Sequence, residues 1–298
     1  MSYLFAFCLA LCWGTAFLAS KNIVDVIPPY WGSFDRVLTG LLFFAVFFAL
    51  RRAKLSCPAR ELWRPWTISS LLILLPFAAL SWGIQHTVPT IAGIFNGTVP
   101  IWSFIAGALL LKGVDRFTWR RAAGVVIGLA GLLIIMRPQW QAALTAPAGK
   151  LALWGYLALL FMALCYGVGN VLTKKIMVDN TTLNWEANTF HQYLFATAIL
   201  LMISWLTEPT PALSVFDTKL ILSIISAGVF SSAVAFLLMI TLIRRWGATR
   251  MASVTYFSPV IAMGTDILFR GRIPHAAELI GMLLIFTSLW LIQKKVEA

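Results

Sequence analysis

Ten long apolar runs follow one another along the chain, separated by short connections that carry most of the charged residues and prolines. A helix of about 20 apolar residues crosses a bilayer core, and continuous rather than alternating apolar runs favour helices over a barrel. The pattern therefore predicts ten transmembrane helices, at residues 2–20, 30–50, 66–86, 89–111, 118–136, 151–175, 185–206, 219–243, 248–269 and 275–293.

The composition supports a membrane protein. Of the 298 residues, 60% are hydrophobic and only 11% are charged, whereas soluble domains carry about 25% charged residues. This excludes disordered and disulfide-rich secreted classes. The net charge of +12 lies in short loops, where it favours contacts with lipid headgroups over nucleic acid. We expect an all-α membrane protein whose partners are membrane lipids and a small-molecule substrate, with no nucleic acid.

The distribution of lysine and arginine predicts the orientation. If the N-terminus is cytoplasmic, the ten helices place 16 basic residues inside and 6 outside, with Arg36 within a span. Basic loops favour the cytoplasmic side. Both termini are therefore expected to be cytoplasmic.

The two halves of the chain resemble each other. Residues 10–14 (ALCWG) match residues 163–167 (ALCYG), and Pro100 in the fourth span matches Pro259 in the ninth. Five spans per half is an odd number, so the second half must enter the membrane inverted. This predicts one five-helix repeat at 1–137, a linker at 138–150 and a second repeat at 151–298. Inverted repeats are typical of secondary transporters with a midplane substrate site; chance similarity among apolar segments is the alternative.

These features together resemble the drug/metabolite transporter superfamily, in its ten-helix EamA-type branch. The resemblance rests on Trp13-Gly14, Arg36, the stretches from Thr90 to Pro100 and from Thr249 to Pro259, and the pair Gly124 and Gly131. It implies a bacterial inner-membrane exporter of small metabolites, including aromatic amino acids, that works by alternating access.

Candidate substrate-binding residues are polar or aromatic groups near the middle of the predicted spans. A proline frees the carbonyl four residues before it, so Pro100 and Pro259 should free the carbonyls of Asn96 and Thr255, although kinks for helix packing explain them equally well. Amides and aromatic walls suit a zwitterion with an apolar side chain, but they also occur in helix packing. The candidates are Trp13, Phe17, Trp82, Asn96, Pro100, Trp102, Tyr166, Asn170, Tyr256 and Pro259.

Two charged residues within the spans, Asp266 and Arg36, are candidates for ion or proton coupling. A charge at the centre of a membrane helix costs about 2.5–3.5 kcal/mol on insertion scales, so each needs a partner or water. Arg36 could instead bind a substrate carboxylate, or it could form a structural ion pair.

No motif indicates an enzyme, a metal site or a cofactor. We therefore expect a monomeric transporter without a cofactor. Two alternatives remain: an exporter of cationic drugs or other metabolites, and an intramembrane lipid-modifying enzyme. The enzyme would need His, Asp or Glu residues clustered at one membrane depth, and the sequence offers no such cluster.

Overall fold

The computed structural model describes residues 2–87, 89–111, 118–137, 141, 145, 151–178, 183–257 and 276–293. Helices dominate these residues, and none of them is in a strand. The α-helices are α1 (Ser2–Val24), α2 (Pro29–Leu50), α3 (Trp63–Ser69), α4 (Leu75–Gln85), α5 (Pro89–Asn96), α6 (Val99–Leu110), α7 (Trp119–Ile135), α8 (Ala152–Thr173), α9 (Trp185–Thr207), α10 (Thr218–Ile225), α11 (Ala235–Trp246), α12 (Ala248–Ala252) and α13 (Ala276–Gln293).

Seven helical stretches of the described residues are long and apolar enough to cross a bilayer. The described part of the chain is therefore helical, and the chain spans the membrane several times. The seven stretches are Ser2–Val24, Pro29–Leu50, Ala59–Gln85, Ile91–Leu110, Ala152–Val178, Trp185–Thr207 and Thr218–Trp246. Helices α7 and α13 coincide with two further predicted spans. The count of ten stays a prediction, since most of the predicted span 248–269 lies outside the described residues.

The predicted span 89–111 is interrupted rather than continuous. Helix α5 ends at Asn96 and α6 begins at Val99. Pro100 stands in the first turn of α6, where its missing N–H costs nothing. The Thr98 hydroxyl donates instead to the Phe95 carbonyl at 2.7 Å. The proline thus helps to end one helix and start another, which places Asn96 at a helix end.

Three π-helical segments interrupt or extend the spans: Ser70–Leu74 between α3 and α4, Lys174–Val178 after α8, and Ser226–Val234 between α10 and α11. We call them the first, second and third π segments. Pro100 and Pro259, which match between the two halves, are 159 residues apart. The positions 159 residues after the first π segment are 229–233, and they lie within the third π segment. Such segments are rare and are frequent at functional sites.

Two glycines bring α2 against the third π segment. A Cβ on Gly228 would lie 2.5 Å from the Arg36 carbonyl oxygen. A Cβ on Gly40 would lie 3.2 Å from the Gly228 carbonyl oxygen and 2.6 Å from Cε1 of Tyr193 on α9. Neither position can therefore hold a larger residue without a shift of the backbone. This contact places Arg36 beside the third π segment.

Helix α2 is also fixed at its first turn. The backbone N–H groups of Tyr30 and Trp31 donate to the carboxylate of Glu208, which directly follows α9, at 3.0 Å. A carboxylate at a helix N-terminus satisfies amides that have no partner within the helix. The bond ties the end of α9 to the start of α2.

Candidate functional site

A cavity lies between helices from both halves of the chain. It contains about 690 Å³ of space free of protein atoms, part of it open to the outside. Its walls come from α1, α2, the first and third π segments, and several neighbouring helices. The lining residues are Trp13, Ala16, Phe17, Arg36, Leu72, Ile73, Phe77, Leu80, Asn96, Val99, Tyr166, Asn170, Tyr193, Ser231, Ser232, Phe236, Met239 and Thr255.

Five of the predicted substrate-binding residues meet in this cavity: Trp13, Phe17, Asn96, Tyr166 and Asn170. The two amides are buried, and neither forms a side-chain hydrogen bond with another residue that the structure describes. Both amides line the cavity. Both amides are therefore available to a ligand, and the aromatic side chains supply an apolar wall beside them.

Three other candidates lie away from the cavity lining. Tyr256 is fully buried, and its hydroxyl donates to the Val125 carbonyl at 3.0 Å. The indole Nε1 of Trp102 donates to Thr98 Oγ1 at 3.2 Å. Pro100 is buried at the start of α6. Each of these side chains already has a packing or hydrogen-bonding role, which explains its position without a ligand.

Trp82 belongs to a different surface. Its ring lies 4.6 Å from the His86 ring, and it lines a separate groove with Glu208 and the start of α2. The remaining two candidates, Pro259 and Asp266, lie outside the described residues.

The sequence did not single out several lining residues. Phe77, Ser231, Ser232 and Phe236 are common residue types within apolar runs, so nothing in their pattern distinguished them. Tyr193 belongs to the polar triplet 191–193 inside the seventh predicted span, and that triplet could have indicated it. Its two neighbours already have polar partners: Gln192 donates to Asn188 Oδ1 at 2.6 Å, and a ring nitrogen of His191 lies 3.0 Å from the Leu55 carbonyl oxygen.

Arg36 is the charged residue among the described lining residues. Its Nε donates to Ser232 Oγ at 2.8 Å and its Nη1 to Ser20 Oγ at 3.3 Å. The guanidinium carbon lies 3.9 Å from the centroid of the Phe77 ring, a cation–π geometry. The cavity therefore has one formal positive charge, and no Asp or Glu is among the lining residues that the structure describes.

The described residues do not contain a group of three His, Cys, Asp or Glu side chains placed to hold a metal ion. What the cavity offers a ligand is thus hydrogen bonds from amides and hydroxyls, one guanidinium, and aromatic or aliphatic surface.

Comparison with known proteins gives a consistent picture. The model of a family described as the EamA-like transporter family matches residues 1–137 and 153–293. The uncharacterized transporter YvbV of Bacillus subtilis is 27% identical over 97% of this chain and 90% of its own length. Protein PagO of Salmonella typhimurium is 24% identical over 93% of this chain and 86% of its own length.

Two further comparisons concern membrane location and fold. The uncharacterized inner membrane transporter YedA of Escherichia coli K12 is 23% identical over 88% of this chain and 81% of its own length. A protein crystal structure superposes with a TM-score of 0.74 at 20% identity, over 97% of this chain and 95% of the other. At that identity the superposition supports the fold alone.

Proposed function

The chain belongs to the EamA-like transporter family, and from this premise we propose that it exports small amphipathic metabolites, among them amino acids with aromatic side chains, across a bacterial inner membrane. The observation that carries the proposal is the cavity in which Asn96 and Asn170 lie beside Trp13, Phe17 and Tyr166. Amides bind the polar end of an amino acid, and the aromatic rings accept its side chain.

The polar and apolar parts of the cavity suit such a molecule. Ligand sites are mostly apolar with a few convergent polar groups, and this lining combines aliphatic and aromatic residues with the amides of Asn96 and Asn170. The aromatic side chain of an amino acid buries a large apolar area when it enters such a site.

The proposed mechanism is alternating access, in which the two halves rock around the cavity. Two observations support it. The cavity is lined by residues of both halves, from Trp13 to Val99 and from Tyr166 to Thr255. The first and third π segments contribute Leu72, Ile73, Ser231 and Ser232 to its walls, and π segments within α-helices are frequent at functional sites.

Uptake by reconstituted liposomes tests the proposal. We expect saturable uptake of labelled phenylalanine and tryptophan above empty liposomes, and a parallel series with an imposed pH gradient separates proton coupling from facilitated diffusion. Labelled threonine tests whether an aromatic side chain is needed. Absence of uptake of all three, by protein shown to be folded, would contradict the amino-acid substrate.

Variants connect the uptake to the cavity. Asn170→Ala and Tyr166→Ala should raise KM for phenylalanine by roughly tenfold, because each removes a contact worth about 1–1.5 kcal/mol. Trp154→Ala is the matched control, since Trp154 lies on the same helix, α8, with 60% of its surface exposed. Equal kinetics in all three variants would place the substrate elsewhere.

A further inference from the structure

Arg36 is a buried cation surrounded by neutral groups. It is 5% exposed, and it contacts the hydroxyls of Ser20 and Ser232 and the face of the Phe77 ring. Within the described part of the chain, the ion pairs closer than 4.0 Å are Lys21–Asp25, Arg60–Glu61 and Arg64–Glu61. Arg36 belongs to none of them.

A guanidinium in this position lacks part of its normal solvation. It has five N–H groups, and two of its nitrogens donate to the two serine hydroxyls. The effective cost of burying an ion is several kcal/mol, and an opposite charge with good geometry compensates it. Neutral hydroxyls and a ring face compensate it only in part. An anion bound beside the guanidinium would supply the missing compensation.

No Asp or Glu is among the described residues that line the cavity with Arg36, but several hydroxyl-bearing side chains are. The Ser231 hydroxyl is buried in the cavity wall without a hydrogen-bond partner among the described residues. The hydroxyls of Tyr166 and Tyr193 line the same cavity, and a hydroxyl can donate to an oxyanion. Arg36 and these hydroxyls together form a set of donors for a carboxylate.

The rest of the cavity would hold an apolar group. Leu72, Ile73, Leu80, Phe236 and Met239 line it together with the aromatic side chains. A molecule with a carboxylate at one end and a phenyl-sized body at the other uses both parts. The ammonium group of an amino acid finds amide oxygens there, but no carboxylate among the described lining residues.

We propose that Arg36 binds the carboxylate of the transported molecule and makes the cavity prefer organic anions to zwitterions, and zwitterions to cations of the same size. This inference rests on the proposed function in one respect, namely that the protein transports small molecules through this cavity. It adds that the charge of the cargo is selected, and it makes carboxylate-bearing aromatic molecules the substrate class that fits best.

The test compares three molecules of nearly equal size and different charge: 3-phenylpropionate, phenylalanine and phenethylamine. Binding to the detergent-purified protein is measured by calorimetry, and competition with labelled phenylalanine is measured in liposomes. For the unaltered protein we expect the affinity order anion, zwitterion, cation, with at least a tenfold difference between the first and the last. An equal or better affinity for phenethylamine overturns the proposal, as does the absence of binding of all three at millimolar concentration.

Two substitutions assign the effect to Arg36. Arg36→Gln keeps a polar side chain without the charge, and we expect it to weaken 3-phenylpropionate binding at least tenfold while phenethylamine binding is unchanged or stronger. Arg36→Lys keeps the charge but loses the planar fork that pairs with a carboxylate in two places, so an intermediate affinity is expected. A loss of equal size for all three molecules would indicate a structural role and overturn the proposal.

The two proposals fail in different ways. If amino acids are transported but the three probes bind equally, the charge preference is wrong and the proposed function stands. If 3-phenylpropionate binds with the expected preference but no amino acid is transported, the proposed function is wrong and the carboxylate site stands. If Arg36→Gln does not fold, the affinity order of the unaltered protein still decides.

Discussion

Arg36 Nε donates a 2.8 Å hydrogen bond to Ser232 Oγ, and this bond joins residues 196 positions apart in the chain. The Ser232 hydroxyl in turn donates to the Ala227 carbonyl at 2.7 Å, across one turn of the third π segment. Because a guanidinium has no acceptor, Ser232 accepts from Arg36, and its single hydrogen is donated to the Ala227 carbonyl. A ligand that binds the guanidinium therefore acts on a bond that holds α2 to the third π segment.

Ser232→Ala removes this acceptor and leaves the buried Nε–H without it. We expect the folded protein to lose about 1–3 kcal/mol of stability, the range for an unsatisfied buried donor, and KM for phenylalanine to change as well. Ser232→Thr, which keeps the hydroxyl, is the control. Thermal unfolding in detergent and uptake kinetics are the measurements, and identical behaviour of the Ala and Thr variants would contradict the role of the hydroxyl.

Gly228→Ala tests the close contact between α2 and the third π segment. The new Cβ would stand 2.5 Å from the Arg36 carbonyl oxygen and 2.7 Å from Thr39 Cβ, so the helices must separate. Overpacking of this kind costs about 1–3 kcal/mol, which a lower melting temperature would report. Gly93→Ala is the matched control, since its Cβ would meet nothing closer than Met136 Cε at 3.6 Å. Equal melting temperatures of the two variants would contradict the packing argument.

Tyr256 and Tyr166 should respond differently to the loss of the hydroxyl. Tyr256→Phe removes the hydrogen bond to the Val125 carbonyl, so we expect a stability loss of about 1 kcal/mol and an unchanged KM. Tyr166→Phe alters a hydroxyl in the cavity lining, so KM should change while stability is nearly kept. Uptake and thermal unfolding of both variants separate the two roles, and a raised KM in Tyr256→Phe alone would reverse the assignment.

Much of the helical architecture follows from the sequence because the signal is long and redundant. The predicted spans 2–20, 30–50 and 185–206 differ from α1, α2 and α9 by four residues or fewer at each end. The interruption at Gly97 and Thr98 was missed, because apolar residues continue through it and hydropathy does not register a broken hydrogen-bond ladder. The π segments were missed for the same reason.

The candidate site follows from the sequence only in part. Trp13, Asn96, Tyr166 and Asn170 were predicted from their depth in the spans and their positions in the two similar halves, and all four line the cavity. Ser231 and Ser232 were not predicted, since serine is common in membrane helices. The bond between Ser232 and Arg36 depends on the contact between α2 and the third π segment, which is a tertiary feature without a local pattern.

Glu208 predicts a pH effect on stability. Partial burial raises the pKa of its carboxyl, and the hydrogen bonds from the Tyr30 and Trp31 backbone oppose that rise. A raised pKa means that the folded protein holds the proton more tightly than the unfolded chain, so this group stabilises the fold as pH falls through the raised pKa and the effect is lost as pH rises.

Glu208→Gln removes the titration and keeps an acceptor oxygen. We compare the melting temperature of the unaltered protein with that of the variant. The unaltered protein minus the variant should give a larger difference at about pH 4 than at about pH 7. Subtracting the melting temperature of the variant removes the contributions of the other titrating groups, which both proteins share. A difference that stays constant or decreases over this range would show that the two backbone hydrogen bonds outweigh the burial.

Asn170→Asp should reverse the charge preference of the cavity. The side chains have nearly the same shape, and the new carboxylate would share the cavity with Arg36 and supply the negative charge that the described lining lacks. In a buried site two such charges interact strongly, so the guanidinium would be partly neutralised. We expect 3-phenylpropionate to compete with phenylalanine at least tenfold less well than in the unaltered protein, and phenethylamine to compete better. Asn170→Ala is the control, because it removes the amide without adding charge and should weaken all competitors together. If Asn170→Asp and Asn170→Ala give the same order of competitors, the cavity does not select its cargo by charge.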